Sequence, residues 1–217
     1  MYIFNWLGLV TLAQSDQFIM CGFAIVVMVA QTYPIFRREN ASRMYTVAPY
    51  FLANTCSNIT TYVIYPILVS FLTFFWFKYP ESDFGGFMLF FMIELVAAVM
   101  GLCYGQLIGS IVYTEYFALL TLMQTITIYY LGAGILINAQ EANWLASFFQ
   151  WISPMRYANE LAFRRILAGR DENFVNETLE QLGYTWGPTL CASLCFVYMI
   201  GALSTGMILM VYRNRGA

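Results

Sequence analysis

Long stretches without a single charged residue, separated by short polar clusters, constrain this chain more than any other feature. No Asp, Glu, Lys or Arg occurs between Arg43 and Lys78, between Glu115 and Glu141, or between Glu180 and Arg213. The hydrocarbon core of a bilayer is roughly 30 Å thick and takes about 20 apolar residues to cross as a helix. Several stretches reach that length, so lipid is the expected solvent for most of the chain. Composition agrees: 60% of the 217 residues are hydrophobic and 10% charged, whereas a soluble domain carries about 25% charge. There is room for about five spans and little else, so the expectation is one all-α membrane domain over residues 1–217. With a net charge of −2, nothing points to a nucleic-acid partner.

Five spans are expected, at about residues 4–31, 59–77, 84–108, 116–137 and 189–212. The first is interrupted by Gln14, Ser15, Asp16 and Gln17. The part after that interruption is too short to cross alone, so the polar cluster belongs inside one tilted helix. The segment 138–187 holds two shorter helical patterns. In the first, Trp144, Leu145, Phe148, Phe149 and Ile152 share one face, which suits a re-entrant or interfacial helix. The second runs from Tyr157 to Leu167 and is closed by Gly169.

Arginine placement sets the expected orientation, because short loops rich in Lys and Arg stay in the cytoplasm. Arg37, Arg38 and Arg43 follow the first span, and Arg213 and Arg215 follow the fifth. One orientation puts both groups and the C-terminus inside and leaves 138–187 outside. That outer segment holds Arg156, Arg164, Arg165 and Arg170 against six acids. An odd number of spans then leaves Met1 outside, as expected of a fragment whose first helix is missing.

Five cysteines fall within or beside apolar segments and read as small buried hydrophobes. Cys191 and Cys195 are spaced for one helix face, but the chain has no histidine, so they form no zinc signature and no metal is expected.

Three motifs resemble the G subfamily of ABC transporters, the white-pigment, sterol and multidrug half-transporters. They are Pro34-Ile-Phe-Arg-Arg-Glu-Asn-Ala-Ser-Arg-Met-Tyr followed by Tyr50-Phe-Leu-Ala, Gly132-Ala-Gly-Ile-Leu-Ile-Asn138, and Trp151-Ile-Ser-Pro-Met-Arg-Tyr-Ala-Asn-Glu160. Their order and spacing agree with that subfamily over nearly the whole chain. The resemblance implies an ABC-2 type exporter membrane domain, with these five spans standing for the family's helices two to six. By that resemblance the family's first helix and its amino-terminal ATPase domain are expected to be missing from these 217 residues. A Walker A loop needs a Gly-Lys-Ser/Thr, and the single lysine, Lys78, sits in Phe-Lys-Tyr. The chain is therefore not expected to be an enzyme: it holds no cofactor, and ATP and Mg²⁺ would act through an ATPase domain supplied elsewhere.

By the same resemblance, Arg37, Arg38, Glu39 and Arg43 form a loop that rests on the ATPase domain and passes its motion to the helices. Glu39 and Arg43 are spaced as an i, i+4 pair. The family usually has acids just before Pro-Ile-Phe, where this chain has Gln31-Thr32-Tyr33, so a salt link to a neighbouring loop would be missing. A substrate cavity on a dimer axis would be lined by Asp16, Gln17, Met20, Met123, Thr127 and Tyr130, with Ile135 and Leu136 as the plug that closes it outward. Plain helix packing or lipid contact is the competing account of those positions. Ser153, Pro154, Arg156, Tyr157 and Glu160 carry the motif of the last external loop.

Asp16 and Glu94 are intramembrane acids, which usually face protein or a wet cavity because burial in lipid is costly. A drawn span boundary set wrongly would explain Asp16 equally well, and a structural hydrogen bond would explain Glu94. Of the sequons at Asn40, Asn58 and Asn176, only Asn176 lies outside in this topology and is expected to carry glycan.

The expected function is the permease portion of an ATP-driven exporter moving lipids, sterols or other amphipathic molecules across a plasma or vesicle membrane. Expected partners are membrane lipid, an ABC ATPase domain, and an identical or different second half. A truncated product without transport activity, and the permease of a two-gene lipid or polysaccharide exporter, are the alternatives. A channel is disfavoured because no span carries a repeated polar stripe.

Overall fold

The structure is a computed structural model that describes residues 2–76, 84–112, 114–134, 144–167 and 172–214. Among the described residues every regular element is an α-helix. In chain order they are α1 (Tyr2–Ala41), α2 (Val47–Tyr62), α3 (Ile64–Trp76), α4 (Phe84–Ile111), α5 (Glu115–Leu131), α6 (Trp144–Ile152), α7 (Pro154–Ile166), α8 (Glu172–Gln181) and α9 (Pro188–Asn214). Among the described residues four stretches are long and apolar enough to cross a membrane: Leu7–Ala41, Val47–Phe75, Phe84–Ile111 and Pro188–Asn214. With 17 described residues, α5 is not among them, and residues 135–137 of its expected span lie outside the described residues. Large apolar side chains on the outer faces, such as Leu68, Phe71, Phe75, Phe196 and Ile200, are exposed, as a lipid solvent requires.

Two helices depart from the expected spans. The first does not end near residue 31 but runs to Ala41 with Pro34 inside it. There the Thr32 hydroxyl bonds back to the Met28 carbonyl at 2.9 Å. The second begins at Val47, not near residue 59. Its polar run stays helical because Thr55, Thr60 and Thr61 turn their hydroxyls onto the carbonyls of Phe51, Cys56 and Ser57, four residues back. Pro66 cannot donate to the carbonyl four residues before it, at Tyr62, and the helix breaks at Val63 between α2 and α3.

The centre of the bundle is the parallel pair α1 and α4. A Cβ on Gly101 would overlap the Phe18 carbonyl oxygen, and one on Gly105 would overlap that of Gly22. A Cβ on Gly109 would lie 2.8 Å from Val29 Cγ1. Only glycine permits backbone to rest on backbone here, the usual route to close helix packing in lipid. Against this pair pack Leu122 and Ile126 of α5, Met155 and Ala158 of α7, and Cys195 of α9. Four of the five cysteines are buried and Cys56 is exposed.

Candidate functional site

Three regions bring the sequence-selected residues together: an outward face along α1 and α5, the end of the bundle at Arg37, and the opposite end at Trp151.

Along α1, Leu12, Met20 and Phe23 are exposed at helical spacing, with Asp16 half-buried among them. The neighbouring α5 exposes Met123 and Thr127, while Tyr130 is half-buried and packs toward the central cluster. Gln17 does not join this face. It is 0% exposed, and neither amide atom has a hydrogen-bond partner. Gln17 therefore belongs to a buried polar layer inside the bundle rather than to an open cavity lining. That layer also contains Gln14, whose amide donates to the Ala158 carbonyl on α7 at 3.4 Å. Glu94 of α4 is wholly buried, with neither carboxyl oxygen hydrogen-bonded. Asp16 accepts the Tyr65 hydroxyl of α3 at 2.5 Å, a partner the sequence alone did not disclose. Beside that bond a groove of about 380 Å³ opens between α1 and the α2–α3 break, lined by Met20, Cys21, Thr61, Tyr62, Ile64, Tyr65 and Leu68. Ile135 and Leu136 lie outside the described residues.

At the Arg37 end, Arg37 and Arg38 are exposed on the last turns of α1. The expected ion pair between Glu39 and Arg43 does not form. Arg43 lies past the helix end in the left-handed region (φ 56°), so it cannot keep the helical i, i+4 spacing. Met44 N–H bonds the Glu39 carbonyl at 3.1 Å and Arg43 N–H bonds that of Asn40 at 3.0 Å, the paired closure that ends many helices with glycine at this position. Glu39 instead accepts the Tyr45 hydroxyl. That hydrogen bond is the main cause raising the Tyr45 phenol to about 12. Phe36 and Tyr50 stack with centroids 4.1 Å apart, fastening α2 to α1. Arg213 of α9 lies 3.7 Å above the Tyr33 ring, and its guanidinium also donates to the Ser110 carbonyl of α4 at 3.3 Å. Four helix ends, those of α1, α2, α4 and α9, therefore meet at one knot. Tyr33 could have been selected from its place beside Pro34, but its partner Arg213 read only as an orienting charge.

At the Trp151 end, the loop-motif residues act as fasteners. Pro154 starts α7 at its first turn. Ser153 Oγ donates to the Tyr129 carbonyl at 2.7 Å, and Tyr157 donates to the Trp151 carbonyl at 2.7 Å. Arg156 is buried; its guanidinium donates to the Gly183 carbonyl at 2.5 Å and lies 5.7 Å from the Trp151 ring. Glu160 pairs with Arg164 at 2.8 Å. The glycines of the Gly132 motif have separate jobs. A Cβ on Gly132 would meet the Phe149 carbonyl oxygen of α6 at 2.7 Å, and Gly134 adopts φ 91° against the Tyr184 ring. Between them, the Ala133 carbonyl accepts the Tyr184 hydroxyl at 2.7 Å. Burial pushes the Tyr184 phenol well above its usual range. Sequence reading passed over Tyr184, although a lone tyrosine after Gly183 at a helix end is a recognisable turn signal.

Asn176 is exposed on α8, while Thr178 of its sequon is buried and bonded to the Phe174 carbonyl at 2.7 Å. Asn58 is buried within α2. Among the described residues no group of His, Cys, Asp or Glu is arranged to hold a metal ion.

Residues 2–166, most of the chain, match the family described as ABC-2 type transporter.

Proposed function

The chain belongs to the ABC-2 type transporter family and is the permease part of an ABC transporter, and from that premise we propose a G-subfamily exporter half that moves lipids, sterols or other amphipathic molecules. Such permeases generally pair with an ABC ATPase, which here would act from another domain or chain. The observation that carries the reading is the unbroken course of α1. One helix bears Met20 on an exposed apolar face and, five turns on, the exposed pair Arg37 and Arg38. A force applied at the arginines is delivered along one continuous helix, through the turn that holds Pro34, to the face that would touch cargo. The knot of Phe36, Tyr50 and Arg213 supports the reading, because it makes α2 and α9 follow the same end of α1.

In this reading Arg37, Arg38, Glu39 and Arg43 contact the ATPase, and the C-terminal end of α9 lies on that side. Asp16, Met20, Met123, Thr127 and Tyr130 line the passage with a second half completing it, and Ile135 and Leu136 close it outward. Asn176 carries glycan. The test is ATPase activity of the complete transporter in nanodiscs as sterols, phospholipids and amphipathic drugs are added. Stimulation by at least one class is expected. A flat response across all three would sink the exporter reading.

A further inference from the structure

The groove between α1 and the α2–α3 break has an unbalanced charge. Asp16 lies beside it, one turn before the lining residue Met20, and its carboxylate accepts the hydroxyl of the lining residue Tyr65 at 2.5 Å. Behind it, Glu94 is fully buried, its carboxyl oxygens lack hydrogen-bond partners, and Asp16 acts on it electrostatically. Among the described residues no Lys or Arg lines the groove, whose walls are Met20, Cys21, Tyr62, Ile64, Tyr65 and Leu68 with Thr61. An intramembrane carboxylate is costly unless a counter-charge approaches it. The Tyr65 ring beside that carboxylate and the Tyr62 ring on the groove wall are surroundings in which an organic cation is held by charge and by ring faces together. The volume, about 380 Å³, falls within the range of small-molecule sites. The Asp16 carboxylate also repels the anionic headgroup of a phospholipid.

We propose that this groove binds amphipathic organic cations, with Asp16 as the residue that selects the positive charge and Tyr65 as the group that aims its carboxylate. The inference deepens the permease reading and rests on it only in treating the bound molecule as cargo. Binding is measured apart from transport, so the two fail separately.

The experiment uses the full chain in neutral-lipid nanodiscs and radiolabelled tetraphenylphosphonium as probe, with tetraphenylborate as the competitor of equal shape and opposite charge. Saturable binding of the cation, not displaced by the borate, is expected. Asp16→Asn keeps the size and the Tyr65 contact, and is expected to weaken binding about tenfold or more, while Asp16→Glu retains it. Leu68→Trp, which fills the groove from an exposed position, is expected to abolish binding in a protein that still elutes as a single species. Unaltered affinity in Asp16→Asn, equal displacement by the borate, or no saturable binding to the unmodified chain would each overturn the proposal. Loss of ATPase stimulation with cation binding intact would instead count against the exporter reading alone.

Discussion

The Arg213 guanidinium lies 3.7 Å over the ring of Tyr33, joining the last turn of α9 to the last turns of α1 across most of the sequence. Arg213 also reaches the Ser110 carbonyl of α4, so one side chain ties three helices at one end of the bundle. A cation over a ring contributes from about 0.5 kcal/mol when exposed to about 2 kcal/mol when desolvated. Arg213→Gln is expected to lose about 1 kcal/mol of stability in detergent. Tyr33→Phe keeps the ring, gives up the 3.3 Å hydrogen bond to Asn214 and should lose less. Thermal unfolding followed by thiol labelling of the buried cysteines reads both. Equal losses in the two variants would show that the ring contact contributes nothing.

The glycines of α4 make a sharper contrast. Gly105→Ala places a methyl on the Gly22 carbonyl oxygen and must push α1 away. Overpacking of this kind costs about 1–3 kcal/mol, and backbone that cannot yield puts this case at the upper end. Gly8→Ala meets nothing within 4 Å and is expected to stabilise α1 by about 0.5–1 kcal/mol through helix propensity. The fraction of protein recovered as a single species after detergent extraction separates them. Equal recovery would contradict the backbone contact.

Arg43 adopts a conformation that costs an L-residue about 1–2 kcal/mol. Arg43→Gly removes that strain and is expected to raise the unfolding midpoint of the chain. In the complete transporter the same change is expected to lower coupled ATPase activity if Arg43 contacts the ATPase. A lower midpoint would mean that the arginine side chain stabilises the turn by more than its backbone strains it.

Tyr45 gives a test in pH. Its phenol is raised from about 10 to about 12, chiefly because its proton is held by the Glu39 carboxylate. The neutral phenol is the form that makes this bond. The stabilisation is therefore complete below about pH 10 and is lost as pH climbs through about 12. Difference absorbance of tyrosinate, taken between the unmodified chain and Tyr45→Phe, should show a group titrating near 12. In Glu39→Gln the same group should move back toward the ordinary value. No movement in that variant would remove Glu39 as the cause.

Tyr184→Phe deletes the hydroxyl that satisfies the buried Ala133 carbonyl. An orphaned buried acceptor costs about 1–3 kcal/mol, and the loss should appear as faster hydrogen exchange at the end of α5. Exchange unchanged there would mean that the carbonyl finds another donor.

Hydropathy made the helical class legible because lipid demands long apolar runs, and Leu7–Ala41, Phe84–Ile111 and Pro188–Asn214 overlap stretches visible in the sequence. It failed at the first part of α2, where Asn54, Thr55, Ser57 and Asn58 fall before the expected span. Hydroxyls that bond within the helix hide their polarity from lipid, and a hydropathy average cannot see that. It failed again at Arg43, where helical spacing in the sequence predicted a pair that the reversed backbone forbids. The motif around Ser153 was readable as a cluster, but its function as a set of fasteners depends on the carbonyls of Tyr129 and Gly183, which no residue type announces. Asp16 was visible as an acid in lipid; Tyr65, its partner 49 positions away, was not.

The seating of Phe18 and Gly22 on Gly101 and Gly105 has a mechanical outcome. Main chain wedged against main chain has no slack to absorb a displacement, so a shove arriving at either rod is handed to the other undiminished. Whatever opens and shuts during a working stroke must then slide at seams cushioned by flexible side chains, such as the one between α1 and α5.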